Sequence, residues 1–114
     1  MIIYWILYQI FSYFSVGLLY REKIIPPATK WEDIDFYRPK GSPECPDGYK
    51  GRIGIFEIIE VTENIKQMII KQAIADEIEK ESIKQGMITM LEDGFIKAVQ
   101  GQTSLEEILR SAIE

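Results

Sequence analysis

The start of the chain constrains it most. Residues 1–20, MIIYWILYQIFSYFSVGLLY, contain none of the 13 basic and 18 acidic side chains, and only Gln9, Ser12 and Ser15 are clearly polar. At about 1.5 Å of rise per residue, a helix of this length reaches about 30 Å, one hydrocarbon thickness. Arg21 and Lys23 follow at once and no Lys or Arg precedes. If the helix inserts, the positive-inside rule leaves the C-terminal part in the cytoplasm. Tyr4, Trp5, Tyr8 and Tyr20 loosely match interfacial belts. A cleaved signal peptide fits less well, because there is no basic n-region and no small-x-small pattern after the apolar run. Two readings stay open: a single transmembrane helix, or translated sequence that precedes a real domain without having been shaped to span anything.

Composition narrows the chemistry of the rest. The 114 residues leave room for one small domain. A formal charge of -5 argues against nucleic acid as a partner, since general nucleic-acid binders carry a basic excess. With no histidine and one cysteine, histidine-based catalysis, an internal disulfide and a complete four-cysteine zinc site are all excluded within one chain.

Residues 21–47 hold Pro26, Pro27, Pro39, Gly41, Pro43 and Pro46 and read as a connector, with Ile34, Phe36 and Tyr37 available to pin it to a core. Residues 48–114 read as the folded domain. The run RIGIFEIIE over residues 52–60 is β-branched and alternating, which predicts a strand buried on most of both faces. After Thr62 the apolar period changes to 3.6. Ile65, Met68, Ile69 and Gln72 mark a first helix capped by Thr62 or Asn64. Residues 75–85 give a second, with Ile78, Ser82 and Ile83 on one side and Gly86 at its end. Residues 89–100 give a third, with Leu91, Phe95, Ala98 and Val99 as its stripe and Gly101 as its stop. Thr103 and Glu106 form a candidate capping box for a fourth helix that buries Leu105, Ile108, Leu109, Ala112 and Ile113. The expected fold class is α+β, mostly α: a short β element, then a four-helix subdomain, after a hydrophobic N-terminal segment. The acidic pairs along these helices read as solvated faces and helix starts rather than catalytic dyads, and Met68, Met87 and Met90 as core filler.

Several ordered segments are specific enough to name a family. Residues 48–57, GYKGRIGIFE, followed by Gly86-Met87, Leu91-Glu92-Asp93-Gly94 and residues 101–108, GQTSLEEI, closely resemble the C-terminal domain of the type II secretion and type IV pilus assembly ATPases. These are hexameric P-loop motors. The resemblance runs from about residue 21 to 114, and is strongest from Gly41 onward. It implies ATP and magnesium as cofactors of the full-length family. As partners it implies the motor core or neighbouring subunits and the inner-membrane secretion platform. Yet the chain contains no G-x-x-x-x-G-K-[ST] loop and no Walker B segment, so it is not expected to hydrolyse ATP alone and needs no cofactor of its own.

Many relatives also hold a structural zinc on two Cys-x-x-Cys pairs. Here the second pair reads Ser42-Pro43-Glu44-Cys45 and the first has no counterpart, so Cys45 is expected to be a relic and the metal site empty of meaning. In the resembling motors the glycine-flanked arginine lies beside the nucleotide cleft. That makes Arg52, with Gly51 and Gly54, the candidate for shaping the cleft or a subunit boundary; the alternative is a structural arginine paired with Glu57 or Glu60. The rival function is a non-enzymatic, membrane-anchored interaction protein that docks to a secretion or pilus motor.

Overall fold

The computed structural model describes residues 16–26 and 31–113. Residues 1–15 of the hydrophobic start lie outside them, and with them most of the expected membrane helix. Among the described residues no helix is long and apolar enough to cross a membrane. What is described of that start is helix α1 (Val16–Arg21), followed by a single 3-10 turn at Trp31–Asp33. The remainder is mostly helical, with four helices: α2 (Glu63–Ile70), α3 (Ala75–Lys84), α4 (Met90–Val99) and α5 (Leu105–Ile113).

Local chemistry sets these boundaries. Thr62 rather than Asn64 caps α2, its hydroxyl accepting the Ile65 N–H at 3.4 Å. The reciprocal capping box of this domain sits at α4: Thr89 Oγ1 accepts from Glu92 N–H at 3.3 Å and Glu92 Oε2 accepts from Thr89 N–H at 2.8 Å. The reciprocal box expected at Thr103 and Glu106 does not form; only a hydroxyl cap appears, one residue later, and the Glu107 carboxylate bonds Arg110. Ser104 supplies the hydroxyl, accepting from Glu107 N–H at 3.3 Å, because α5 starts at Leu105.

Three helices end alike. In α2, α3 and α4 the residue after the C-cap takes a left-handed backbone, at Gln72 (φ 58°), Gly86 (φ 101°) and Gly101 (φ 76°). In each, the two N–H groups beyond the cap return to carbonyls of the last turn: Gln72 to Ile69 and Ala73 to Met68, Gly86 to Ile83 and Met87 to Ser82, Gly101 to Ala98 and Gln102 to Lys97. This is the Schellman pattern, which satisfies carbonyls a helix end otherwise strands. Gly86 and Gly101 were readable from sequence, while Gln72 is an exception, since a side-chain-bearing residue there bears steric strain.

The core lies under α4. Phe95 is fully buried and packs with Leu18, Leu19, Ile34 and Ile96, flanked by Ile24, Ile25, Phe36, Ile88, Val99, Leu105 and Leu109. The Phe36 and Phe95 ring centroids are 5.9 Å apart. The connector is therefore pinned by Ile34 and Phe36 as expected, and Tyr37 stays 55% exposed beside Gly101. Leu18 and Leu19 also belong to this core. Helices α4 and α5 approach closely at Gly94: a Cβ built there would stand 2.7 Å from Ile108 Cγ2 and 3.0 Å from its Cδ1. Helices α2 and α3 form a second pair around buried Ile65 and Ser82, joined by Asn64 Nδ2 to Glu81 Oε1 at 2.7 Å and Thr62 Oγ1 to Gln85 Oε1 at 3.1 Å.

Residues 52–60 have the alternating pattern of a strand but no ladder: they carry no regular secondary structure, and no strand occurs among the described residues. A strand needs a neighbour to take its backbone bonds, and none of the described segments offers one. The segment lies instead across α4.

Candidate functional site

The turn that carries the candidate residues is built by its glycines. Gly48 has φ 79° and Gly51 φ 72°, a region that side chains disfavour. A Cβ at Gly48 would also stand 2.8 Å from the Lys40 backbone nitrogen. Asp47 Oδ1 accepts from Tyr49 N–H at 3.1 Å, fixing the turn locally. The Tyr49 hydroxyl then shares a hydrogen bond with the buried Ser104 hydroxyl, which ties the turn to the start of α5.

Between this turn and α5 lies an open cavity of about 470 Å³. Lys50, Arg52 and Arg110 bring positive charge to its wall, and Thr103 and Ser111 bring hydroxyls. Glu107, the acid in the lining, is engaged by Arg110, with Nη2 to Oε1 at 2.6 Å and Nε to Oε2 at 3.2 Å. That hydrogen-bonded guanidinium holds the Glu107 carboxyl below the usual carboxylate range, reinforced by its charge and opposed by partial burial. On a chain of net charge -5 the wall is a local excess of cations suited to a carboxylate or phosphate. The lining includes neither a thiol nor a carboxylate pair.

Arg52 and Gly51 both line this cavity. The structural pairing expected for Arg52 does not form: neither Glu57 nor Glu60 bonds to it, because Glu57 turns to α4 and accepts the Met90 N–H at 3.0 Å. Gly54 lies elsewhere, on α4. Its carbonyl accepts from Lys97 Nζ, and a Cβ at Gly54 would strike the Phe56 ring. Cys45 is half-buried in a turn whose backbone bonds join Ser42 N–H and Gly48 N–H to the Cys45 carbonyl, both at 2.9 Å. Ser42 Oγ accepts the Cys45 N–H at 3.1 Å. Among the described residues no three potential ligands gather to hold a metal.

Sequence reasoning missed the clamp on α4. Asp93 and Lys97, one helical turn apart, pair at 2.7 Å, and both reach residues 54–56. Asp93 Oδ2 accepts the Phe56 N–H at 2.8 Å, and Lys97 Nζ sits 4.8 Å from the Phe56 ring centroid. An acid and a base at i and i+4 on a helix are a visible signal, but one whose ordinary meaning is a pair along the helix surface.

Comparison with known proteins places this geometry in context. Residues 21–110 match the family model described as type II/IV secretion system protein. The chain is 40% identical over 78 residues to the type II secretion system protein E of Xanthomonas campestris pv. campestris, covering 68% of this chain and 14% of that protein. It is 37% identical over 84 residues to the type IV pilus assembly ATPase PilB of Pseudomonas aeruginosa, covering 74% of this chain and 15% of that one. It is 42% identical over 79 residues to the Thermus thermophilus protein of the same name, covering 68% and 9% respectively. The aligned part of this chain therefore corresponds to about one-seventh or less of the length of these relatives. No solved structure matches the chain.

Proposed function

Because the chain belongs to the type II/IV secretion system protein family, we propose that it is the C-terminal part of a secretion or pilus assembly motor ATPase, and that it does not hydrolyse ATP by itself. The observation that carries this reading is the family match over residues 21–110 in a sequence with no P-loop motif. Phosphoryl transfer depends on a cradle of backbone N–H groups, a P-loop lysine and a magnesium-binding hydroxyl. ATP and magnesium belong to the full-length motor in this reading, and the domain acts by packing on the core that binds them.

The cationic wall of Lys50, Arg52 and Arg110 supplies the chemistry for that contact. It faces a carboxylate or phosphate contributed by the motor core or by a neighbouring subunit, at the cytoplasmic face of the inner membrane where the secretion platform stands. Purified chain incubated with ATP and magnesium is expected to release no phosphate above buffer. Hydrolysis that tracks the protein through purification and disappears in the Arg52→Ala variant would refute the reading.

A further inference from the structure

Two of the three cations on the cavity wall, Lys50 and Arg52, ride on a stretch of backbone that does not hold itself. Among the described residues no hydrogen bond is made by the main chain of residues 50–53, and neither cation has an ion pair. The stretch is tied at its two ends instead. At one end the Tyr49 hydroxyl bonds the buried Ser104 hydroxyl beside α5. At the other, α4 takes the Gly54 carbonyl with Lys97 Nζ and the Phe56 N–H with Asp93 Oδ2, the latter at 2.8 Å. Asp93 and Lys97 are paired at 2.7 Å, with side chains only 24% and 17% exposed. Charged groups sheltered in this way make stronger hydrogen bonds than neutral or fully hydrated ones.

We propose that Asp93 and Lys97 at one end, and Ser104 at the other, are positioning residues for the cationic wall. They set where Lys50 and Arg52 stand relative to Arg110 on α5, and so whether the three cations converge on one anion. The inference rests on the anion contact proposed for that wall. None of the three positioning residues lines the cavity, so their effect passes through the backbone. The path is short: Arg52 lies two residues before Gly54, about 7 Å of extended chain. Without the clamp, the nearest remaining hydrogen bond on that side is the one from Met90 N–H to the exposed Glu57 side chain, five residues beyond Arg52. Lys50 and Arg52 then spread over many arrangements, and the apparent affinity falls to the fraction that still presents both. Helices α4 and α5 meet at Gly94 and Ile108, which puts both ties on one packed pair.

Charge and position make opposite predictions for Asp93. Removing an acid near a cationic wall strengthens the local field, which should tighten an anion. Removing the acceptor that holds the Phe56 N–H should loosen Arg52 and weaken the same anion. Asparagine separates the two effects, because it removes the charge but keeps an oxygen able to accept that N–H.

The test titrates inorganic pyrophosphate into the full chain in mild detergent and reads the amide shifts of Gly51 and Gln102, which line the cavity. The native chain is expected to bind, Asp93→Asn to bind at least as tightly, and Asp93→Ala to bind about three- to tenfold more weakly. Tyr49→Phe frees the other end without touching α4 and should also weaken binding; it decides the matter if circular dichroism shows that Asp93→Ala does not fold. Native amides that stay unmoved would overturn the anion contact itself, and this proposal with it. Native binding that is kept or tightened in Asp93→Ala, that weakens equally in Asp93→Asn, or that is unchanged in Tyr49→Phe would overturn the positioning role alone.

Discussion

Replacing Gly94 by alanine sets two known effects against each other in a way that the structure decides. Gly94 is buried in the middle of α4, where alanine is favoured over glycine by about 1 kcal/mol through helix propensity alone. Its Cβ would stand 2.7, 3.0 and 3.3 Å from Cγ2, Cδ1 and Cγ1 of Ile108, which is 3% exposed in α5. A β-branched side chain in a helix has essentially one χ1 rotamer, so Ile108 cannot swing its methyl away, and the helices must separate. Overpacking of this kind costs about 1–3 kcal/mol, which exceeds the propensity gain. Gly94→Ala should therefore destabilise by about 1 kcal/mol net, lowering Tm by about 4–8 °C for a domain of this size.

Urea unfolding of the full chain followed by circular dichroism at about 222 nm reads the difference, provided the slope is unchanged between variants. The cycle is completed with Ile108→Ala, expected to cost about 2–5 kcal/mol alone. The double variant should be less damaged than the sum by about 1 kcal/mol, because the new methyl enters the space left by Ile108. If Gly94→Ala instead stabilises by the full propensity value, α4 and α5 do not approach at this point and the reasoning fails.

Two other perturbations have signs fixed by the structure. Gln72→Gly should raise stability by about 1 kcal/mol, since it relieves a left-handed backbone at the end of α2; equal or lower stability in urea would contradict the strain at that position. The Glu107 carboxyl is held below its ordinary value by Arg110, so the pair contributes above the unfolded value of a glutamate and loses its contribution as pH falls through the folded one. The stability gap between the native chain and Arg110→Gln should accordingly close on acidification. A gap that is constant down to strongly acid pH would assign the Arg110 effect to packing.

The helices were legible because their signals are local. Thr62, Thr89, Gly86 and Gly101 mark ends by chemistry that acts within a few residues, and the apolar period lies between them. The hydroxyl cap of α5 was misplaced by one residue because Thr103 and Ser104 are both competent hydroxyls, and only the position of Leu105 decides between them. What stayed hidden was long-range. Lys97 and Gly54 lie 43 residues apart, and Tyr49 and Ser104 lie 55 apart. No spacing rule joins such residues, so the clamp on α4 and the anchoring of the Gly48 turn emerge only once the chain is folded. Residues 52–60 show the reverse case. Their pattern is plain, but a strand is a property of two segments and the sequence displays one.

The burial of Leu18 and Leu19 beside Phe95 gives the hydrophobic start two competing destinations. Those leucines cannot be solvated by lipid tails and packed on the domain at once. A bilayer-embedded stretch that leaves the core under α4 intact must stop before Leu18. Pulling the leucines into lipid would empty the space under α4 that they fill, at roughly the cost of two core truncations, about 4–10 kcal/mol. Transfer of Leu18 and Leu19 to an apolar phase and folding of this domain are thus thermodynamically opposed.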